Sequence, residues 1–313
     1  IDLGKNELIH FVGIGGIGMS GLALIMNELG YKVQGSDIAD NRNIERLNEK
    51  KIKIFLNHKK ENIKKTTVLV ISSAIKKNNP ELVEAIKKNL PVYTRGDMLG
   101  HIVSFMRNVV VTGSHGKTTT TSLVSSIFTA GKLDPTIING GVLNSFGSPA
   151  KLGKSNWCVT ESDESDGSFL KIPFTYSIAT NLDSEHLDFY KNINNLKKSF
   201  LKFFEKIPSV GKGFVCNDDQ NLKKVLKKLK NKNFYTYGKS KKSNFQIINI
   251  KQNTNFSCFD IKINIPSKKK IIKRIKIPMI GVHNIQNATA AVSLALTIGL
   301  PEKYIKLGLY NLK

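Results

Sequence analysis

Cysteine is scarce. The 313 residues hold three, Cys158, Cys216 and Cys258, far apart and without paired spacing, so neither a disulfide framework nor a zinc knuckle is expected and a reducing cytoplasm is the simplest compartment. Long apolar runs are missing too. Nothing approaches the ~20 residues of a membrane-spanning helix, and the opening IDLGKNELIHFVG enters a strand almost at once with no secretory leader. No membrane partner is expected. Acid is in short supply as well: 24 Asp and Glu stand against 48 Lys and Arg, a net charge of +24.

A basic excess of that size is what nucleic-acid phosphates select. Here, however, the lysines are scattered or lie in stretches such as NLKKVLKKLKNKNF, 221–234, where Leu222, Val225, Leu226 and Leu229 keep a helical apolar stripe and lysine fills the rest. There are no interleaved aromatics and no recognition-helix signature. The charge reads as a solvated face that helps attract anionic substrates, and no nucleic-acid partner is expected. At 40% hydrophobic and 23% charged residues the composition is that of a globular protein, long enough for two domains.

The chain is organised around VVVTGSHGKTTTTSLVSSIFTAG, Val109 to Gly131. β-Branched residues predict a buried strand, Gly113 to Gly116 a tight turn, and Leu123, Val124, Ile127 and Phe128 a helix that begins near Lys117 and stops at Gly131. Such a turn aims backbone N–H groups and the positive end of a helix dipole at one point, where an anion is stabilised without any side chain. Lys117 adds a full charge and Thr118 a hydroxyl suited to Mg²⁺. The strict phosphate-loop spacing wants glycine at 111, and this chain has Val111, so the loop is the shorter GSHGKT. Four consecutive threonines are poor helix formers, an odd choice where only packing is at stake.

A second glycine turn lies upstream. Strand Leu8 to Val12 meets Gly13, Gly15, Gly16 and Gly18, then an apolar helix, then a strand at 32–34 that ends close to Ser36 and Asp37. That is the dinucleotide fingerprint in its strand–turn–helix context; whether the diphosphate belongs to NAD or to a nucleotide sugar the motif leaves open. Strand and helix patterns alternate onward, with Asn79 capping a helix that has Pro80 in its first turn, and a helix from Arg95 to Arg107. INGGVLNSFGSPAKLG, 138–153, reads as a glycine-rich loop. WCVTE forms a strand ending at Glu161, ESDESDGSF follows, and the strand Tyr176–Ala179 precedes TNLDSEHLDFY. FSCFDIKINI and KIIKRIKIPMI alternate as antiparallel strands do, and GVHNIQNATAAVSLALTIGL is a turn feeding a long helix. His10, His58 and His101 belong to no constellation and read as structural.

In their order, the glycine fingerprint, phosphate loop, acidic strand end, histidine after the next strand, and HNxxN resemble the Mur ligase family, ATP-dependent amide-forming enzymes of peptidoglycan precursor synthesis. The resemblance covers essentially the whole chain. It implies an α/β fold: an N-terminal Rossmann-like parallel-sheet domain, 1–106, binding a UDP-sugar, then a P-loop-type α/β ATPase domain, 107–313, with an added antiparallel β region. It implies ATP held by Gly113, Ser114, His115, Gly116, Lys117, Thr118 and Thr119, with His283, Asn284 and Asn287 at the adenine end. It implies Mg²⁺ on Thr118, Glu161 and His186, catalysis by Lys117, Glu161 and His186, and the UDP end of the substrate on Gly13, Gly15, Gly16, Gly18, Ser36 and Asp37.

Within the family the motifs look most like those of the member joining L-alanine to UDP-N-acetylmuramate through an acyl phosphate. The family's carboxy-terminal domain finds no room here, so this chain alone is expected to form no amide. Rival readings are the related murein-peptide recycling ligase, an NAD-dependent oxidoreductase, and a non-catalytic nucleotide-binding module. Residue by residue, His186 also fits a hydrogen-bonded loop histidine, ESDESD a solvated acidic turn, Asn284 a helix cap, and Asp37 a turn closure.

Overall fold

The computed structural model describes residues 3–143, 148–165, 167–185, 187–230 and 233–312. Two compact units divide the chain: Ile1–Phe105 with Ile138–Leu152, and Met106–Ile137 with Gly153–Lys313.

The first unit alternates strand and helix: β1 (Leu8–Val12), α1 (Ile17–Glu28), β2 (Lys32–Ser36), α2 (Arg42–Glu49), β3 (Lys53–Phe55), β4 (Val68–Ile71), α3 (Pro80–Lys87), β5 (Val92–Thr94) and α4 (Arg95–Ser104). Five parallel strands lie in the order β3-β2-β1-β4-β5. The order reverses beside β1, and in such sheets ligands sit beyond the carboxyl ends of the strands at that reversal. Ile9, His10, Phe11 and Val12 of β1 are all fully buried, as a strand covered on both faces requires. Local chemistry sets the helix starts. The Asn79 side chain accepts from the Glu81 and Leu82 N–H groups, with Pro80 opening α3. Thr94 and Asp97 form a reciprocal capping box on α4, worth about 1 kcal/mol.

The second unit begins with β6 (Arg107–Thr112) and α5 (Lys117–Ala130). Next come β7 (Thr136–Leu143) and β8 (Ser148–Lys151), whose residues 138–152 group with the first unit. The glycine-rich loop expected at 138–153 is thereby corrected at 138–143 and 148–151, which are strand, while 144–147 lie outside the described residues. Glycine lowers strand propensity but does not forbid extended backbone, and sheet pairing overrides it. The chain continues through β9 (Trp157–Glu161), β10 (Tyr176–Ala179), α6 (Leu187–Tyr190), α7 (Ile193–Glu205), β11 (Lys212–Cys216), α8 (Gln220–Lys228) and β12 (Phe234–Gly238). Last are β13 (Phe245–Gln252), β14 (Ser257–Ile265), β15 (Lys268–Ile277), α9 (Val282–Thr297) and α10 (Glu302–Tyr310).

In this unit the strands run β15-β14-β13-β12-β11-β10-β6-β9, parallel from β9 to β13 and antiparallel beyond. The α/β expectation therefore holds, antiparallel addition included. That addition is bulged between Ile248 and Lys251 and between Phe259 and Ile261. One carboxylate serves both irregularities: Asp260 accepts from the Asn249 side chain at 2.8 Å and from the Arg274 N–H at 2.7 Å. Asn249 and Arg274 are both left-handed, at φ 53° and 56°. Helix α5 packs against α9 and α10, so closely that a Cβ on Gly308 would lie 2.5 Å from the Ile127 Cα. Among the described residues no helix is long and apolar enough to cross a membrane.

Candidate nucleotide-binding site

Strand β6 ends at Thr112 and α5 starts at Lys117, leaving Gly113 to Gly116 as the connecting turn. Register places its neighbours: Val111 lies opposite Glu161 of β9, and Thr112 opposite Ala179 of β10. Three strands thus deliver their carboxyl ends to one place. Gly113 adopts φ +131°, and a Cβ there would lie 2.2 Å from the Thr180 hydroxyl; Gly116, at φ +79°, would drive one to 2.9 Å from the Asn287 carboxamide. Only glycine fits either position. No side chain caps α5, so its first-turn N–H groups remain for a ligand.

The residues after β10 brace the turn from the side. The His115 N–H donates to Asn181 Oδ1 at 2.8 Å, while Asn181 Nδ2 and the Thr180 hydroxyl donate to the His115 carbonyl at 2.9 and 2.7 Å. The Asp183 N–H donates to the Ser114 hydroxyl at 2.9 Å. Neither Thr180 nor Asn181 was foreseen, although TN directly after a strand is where a bracing pair belongs.

The charged groups converge next. Lys117 Nζ donates to the Gly113 carbonyl at 2.6 Å, to Glu164 Oε2 at 3.1 Å and to the Ser114 carbonyl at 3.4 Å. Thr118 donates its hydroxyl to Glu161 Oε2 at 2.9 Å, and Thr119 is half-buried beside it. The expected Lys117, Thr118 and Glu161 are therefore together. Glu164, three residues along, is fully buried. Burial pushes its carboxyl above the ordinary value, against the pull of Lys117. His115 Nε2 stands 3.3 Å from both Asp183 and Glu185, an exposed contact that solvent screens. His186 lies outside the described residues. Among those described, no three His, Cys, Asp or Glu side chains form a ready-made metal cage.

Beside the turn opens a cleft of about 460 Å³, its walls including His115, Asn181, Asp218, His283, Gln286 and Asn287. His283 and Asn287 of α9 were expected there. Asn284 points elsewhere: its side chain donates to the Ile280 carbonyl at 2.8 Å, and α9 is capped by Gly281 rather than by Asn284. Gln286, overlooked in the sequence, donates to Asp218 at 2.7 Å. Asp218 also accepts from the Lys239 and Ser240 N–H groups at 2.8 and 3.2 Å. The Cys216 thiol, also on the wall, is pushed up to about 11 by burial and is inert as a nucleophile.

The first unit carries its own glycine turn. The Gly13 and Ile14 N–H groups donate to the Ser36 carbonyl at 2.8 and 3.0 Å, and Gly16 precedes α1 with no side-chain cap. The Gly15 N–H donates to Asp37 Oδ2 at 2.8 Å, and Asn43 Nδ2 donates to the Gly15 carbonyl at 2.8 Å. A Cβ on Gly18 would meet the Arg95 side chain at 3.2 Å. The Ser36 hydroxyl is not available to a ligand. It is fully buried, donates to Glu81 Oε2 at 2.6 Å, and lies 3.0 Å from His58 Nδ1 and 3.3 Å from His10 Nε2.

That also corrects the reading of His10 and His58 as residues without a constellation. Glu81, on the first turn of α3, gathers both of them. Asn62 Nδ2 donates to its other oxygen at 2.6 Å, and Gln34 Nε2 reaches His10 Nδ1 at 3.1 Å. Burial raises the Glu81 carboxyl, but its hydrogen bonds with His10, Ser36 and Asn62 outweigh that and hold it below the ordinary value. The cluster was illegible because its members come from five segments of the chain.

Residues 8–107 match the model of the Mur ligase family catalytic domain, and residues 111–295 that of the Mur ligase middle domain. The chain belongs to the Mur ligase family. It is 61% identical over 314 residues to the UDP-N-acetylmuramate--L-alanine ligase of Pelagibacter ubique, covering 100% of this chain and 68% of that protein. The ligase of the same name from Brucella ovis is 45% identical over 303 residues, 96% of this chain and 64% of that one. Two solved structures of the family share the fold. The UDP-N-acetylmuramate-alanine ligase of Thermotoga maritima superposes with a TM-score of 0.84 at 27% identity, over 97% of this chain and 68% of that chain. The UDP-N-acetylmuramate:L-alanyl-gamma-D-glutamyl-meso-diaminopimelate ligase of Neisseria meningitides gives 0.88 at 25% identity, over 98% of both. The chain thus spans about two thirds of the length of the curated relatives it matches.

Proposed function

We propose that this chain is the sugar-nucleotide- and ATP-binding portion of a UDP-N-acetylmuramate:L-alanine ligase, acting in the cytoplasm. The observation that carries the reading is the meeting of Lys117, Thr118 and Glu161 around an uncapped helix N-terminus, in a chain 61% identical throughout to such a ligase. In this reading residues 1–106 receive the UDP end of UDP-N-acetylmuramate on Gly13, Gly15, Gly16, Gly18 and Asp37. Residues 107–313 bind ATP.

The reaction is an activation followed by a substitution. A carboxylate oxygen of the muramate attacks the γ-phosphorus of ATP, the bond to ADP breaks, and an acyl phosphate results. The alanine amine then attacks the acyl carbon, phosphate leaves with the electron pair, and the nitrogen loses a proton. Charge gathers on phosphate oxygens throughout, so the protein's task is placement and compensation. The amides at the start of α5, Gly116 to Thr119, orient the phosphates, and Lys117 neutralises the outer ones. His283 and Asn287 are assigned to the adenine end, with Gln286 added from the cleft wall.

The oxygens of Thr118 and Glu161, 2.9 Å apart, are the hard donors that Mg²⁺ takes alongside phosphate and water. They are assigned to it together with His186. When bound, Mg²⁺ supplies electrostatic relief to the transferring phosphoryl group.

Calorimetric titration of the chain with Mg·ATP and with UDP-N-acetylmuramate tests the binding half of this reading. Both should bind, and NADH should not. Phosphate release by the full-length enzyme with L-alanine, compared with L-alanyl-γ-D-glutamyl-meso-diaminopimelate, tests the amine. Preference for the peptide would move the chain to the recycling ligase, whose solved relative matches it over 98% of both lengths.

A further inference from the structure

An ammonium has three hydrogens to donate, and those of Lys117 are matched by three acceptors within its own neighbourhood. Two are carbonyls of the turn that carries it, Gly113 and Ser114; the third is the Glu164 carboxylate. Of the three only Glu164 brings a charge, and it does so from a fully buried position. Its own backbone is pinned: the Tyr190 hydroxyl of α6 and the Gly167 N–H, at 3.1 Å, both donate to the Glu164 carbonyl. The carboxylate is thus the fixed partner and the lysine, on its flexible stem, the movable one.

We propose that Glu164 is the resident counter-anion of Lys117, and that a nucleotide binds by exchange, its outer phosphate taking the ammonium away from the Glu164 carboxylate. This rests on the reading of residues 113–119 as the triphosphate site. The exchange follows from charge. A triphosphate on the uncapped start of α5 offers Lys117 several negative oxygens in place of one. Asp163, whose Oδ1 is 3.8 Å from Lys117 Nζ, is a second and more distant holder of the same ammonium. Glu164 therefore lowers affinity for the nucleotide while keeping the empty turn from holding an unpaired lysine against a buried wall. Its place in the loop after β9, tied to α6 through Tyr190, makes departure of Lys117 felt in both segments.

The test is the dissociation constant of a fluorescent ATP analogue with Mg²⁺, measured on the whole chain. Glu164→Gln, which keeps the shape and removes the charge, should bind three- to tenfold more tightly. In a Lys117→Ala background the same change should produce no gain. If Glu164→Gln does not fold, Glu164→Asp carries the test: its retracted carboxylate should give a smaller tightening. Affinity unchanged or weakened in a folded Glu164 variant overturns the exchange and makes Glu164 a brace. An equal gain with or without Lys117 also overturns it, since Glu164 would then act on the phosphates directly. Failure of the unaltered chain to bind the analogue at all sinks both the functional reading and this one. Binding that is lost in Lys117→Ala but indifferent to Glu164→Gln sinks the exchange alone.

Discussion

Two strand–glycine–helix turns in one chain have been given opposite surroundings. The turn at Gly13 to Gly18 carries no lysine of its own; it has Asp37, which already accepts from the Gly15 N–H, and the Arg95 side chain against Gly18, and beneath it sits a closed cluster of Ser36, His10, His58 and Glu81. The turn at Gly113 to Thr118 carries a lysine and opens toward Glu161 at a strand end and Glu164 in the loop beyond it, with its bracing done by Thr180 and Asn181. The backbone device is shared, so the flanking side chains decide which anion each turn suits. A diphosphate attached to a sugar needs amides and a hydroxyl-reading acid; a reacting triphosphate needs compensating charge that can move.

The comparison breaks first at Glu81. Glu81→Ala leaves the Ser36 hydroxyl, the Asn62 amide and two imidazoles short of a buried partner, at about 1–3 kcal/mol for each group. Loss of at least ~3 kcal/mol of stability is expected in thermal or urea unfolding, with Mg·ATP affinity intact if the two turns are independent. The pH dependence has a definite sign. Because the folded state holds Glu81 below its ordinary 4.5, the stability it contributes is complete above that value and drains away as pH falls beneath it. Acid unfolding of the variant should accordingly be shallower than that of the parent.

Gly113→Ala comes next. A methyl 2.2 Å from the Thr180 hydroxyl, at a φ that side chains resist, should cost about 2–3 kcal/mol and abolish ATP binding. A variant that melts normally and still binds ATP would mean the turn is looser than its contacts imply. Lys117→Ala should weaken ATP by about 10- to 100-fold, from the ~1.5–3 kcal/mol of a charge-assisted bond, while UDP-N-acetylmuramate affinity stays put. Least of all, Asp37→Asn should change UDP-N-acetylmuramate affinity by only about threefold, near ~0.7 kcal/mol, with ATP unaffected.

Much of this was legible in advance, for a local reason. Both glycine turns, the cap at Asn79 and the strand-end position of Glu161 are properties of short segments, and each appears where its spacing places it. What escaped were meetings between distant segments. Glu164 looked like one more acid in ESDESD until the structure buried it against Lys117. Ser36, offered beside Asp37 as a contact for the UDP end by resemblance, instead turns its hydroxyl into the buried cluster with Glu81, His58 and His10. Residues 138–143 and 148–151 misled because glycine content lowers strand propensity without deciding whether a segment finds a partner in a sheet.

The three-stranded ribbon at the far end of the second unit has a consequence of another kind. Its outermost strand reads KKKIIKRIKI, and the two irregularities tied together by Asp260 contort the ladder just inside it. A straight, neutral border would invite a neighbouring copy to zip on and seed a fibre. This border is both crooked and mutually repellent, so part of the surplus lysine keeps the protein from polymerising with itself.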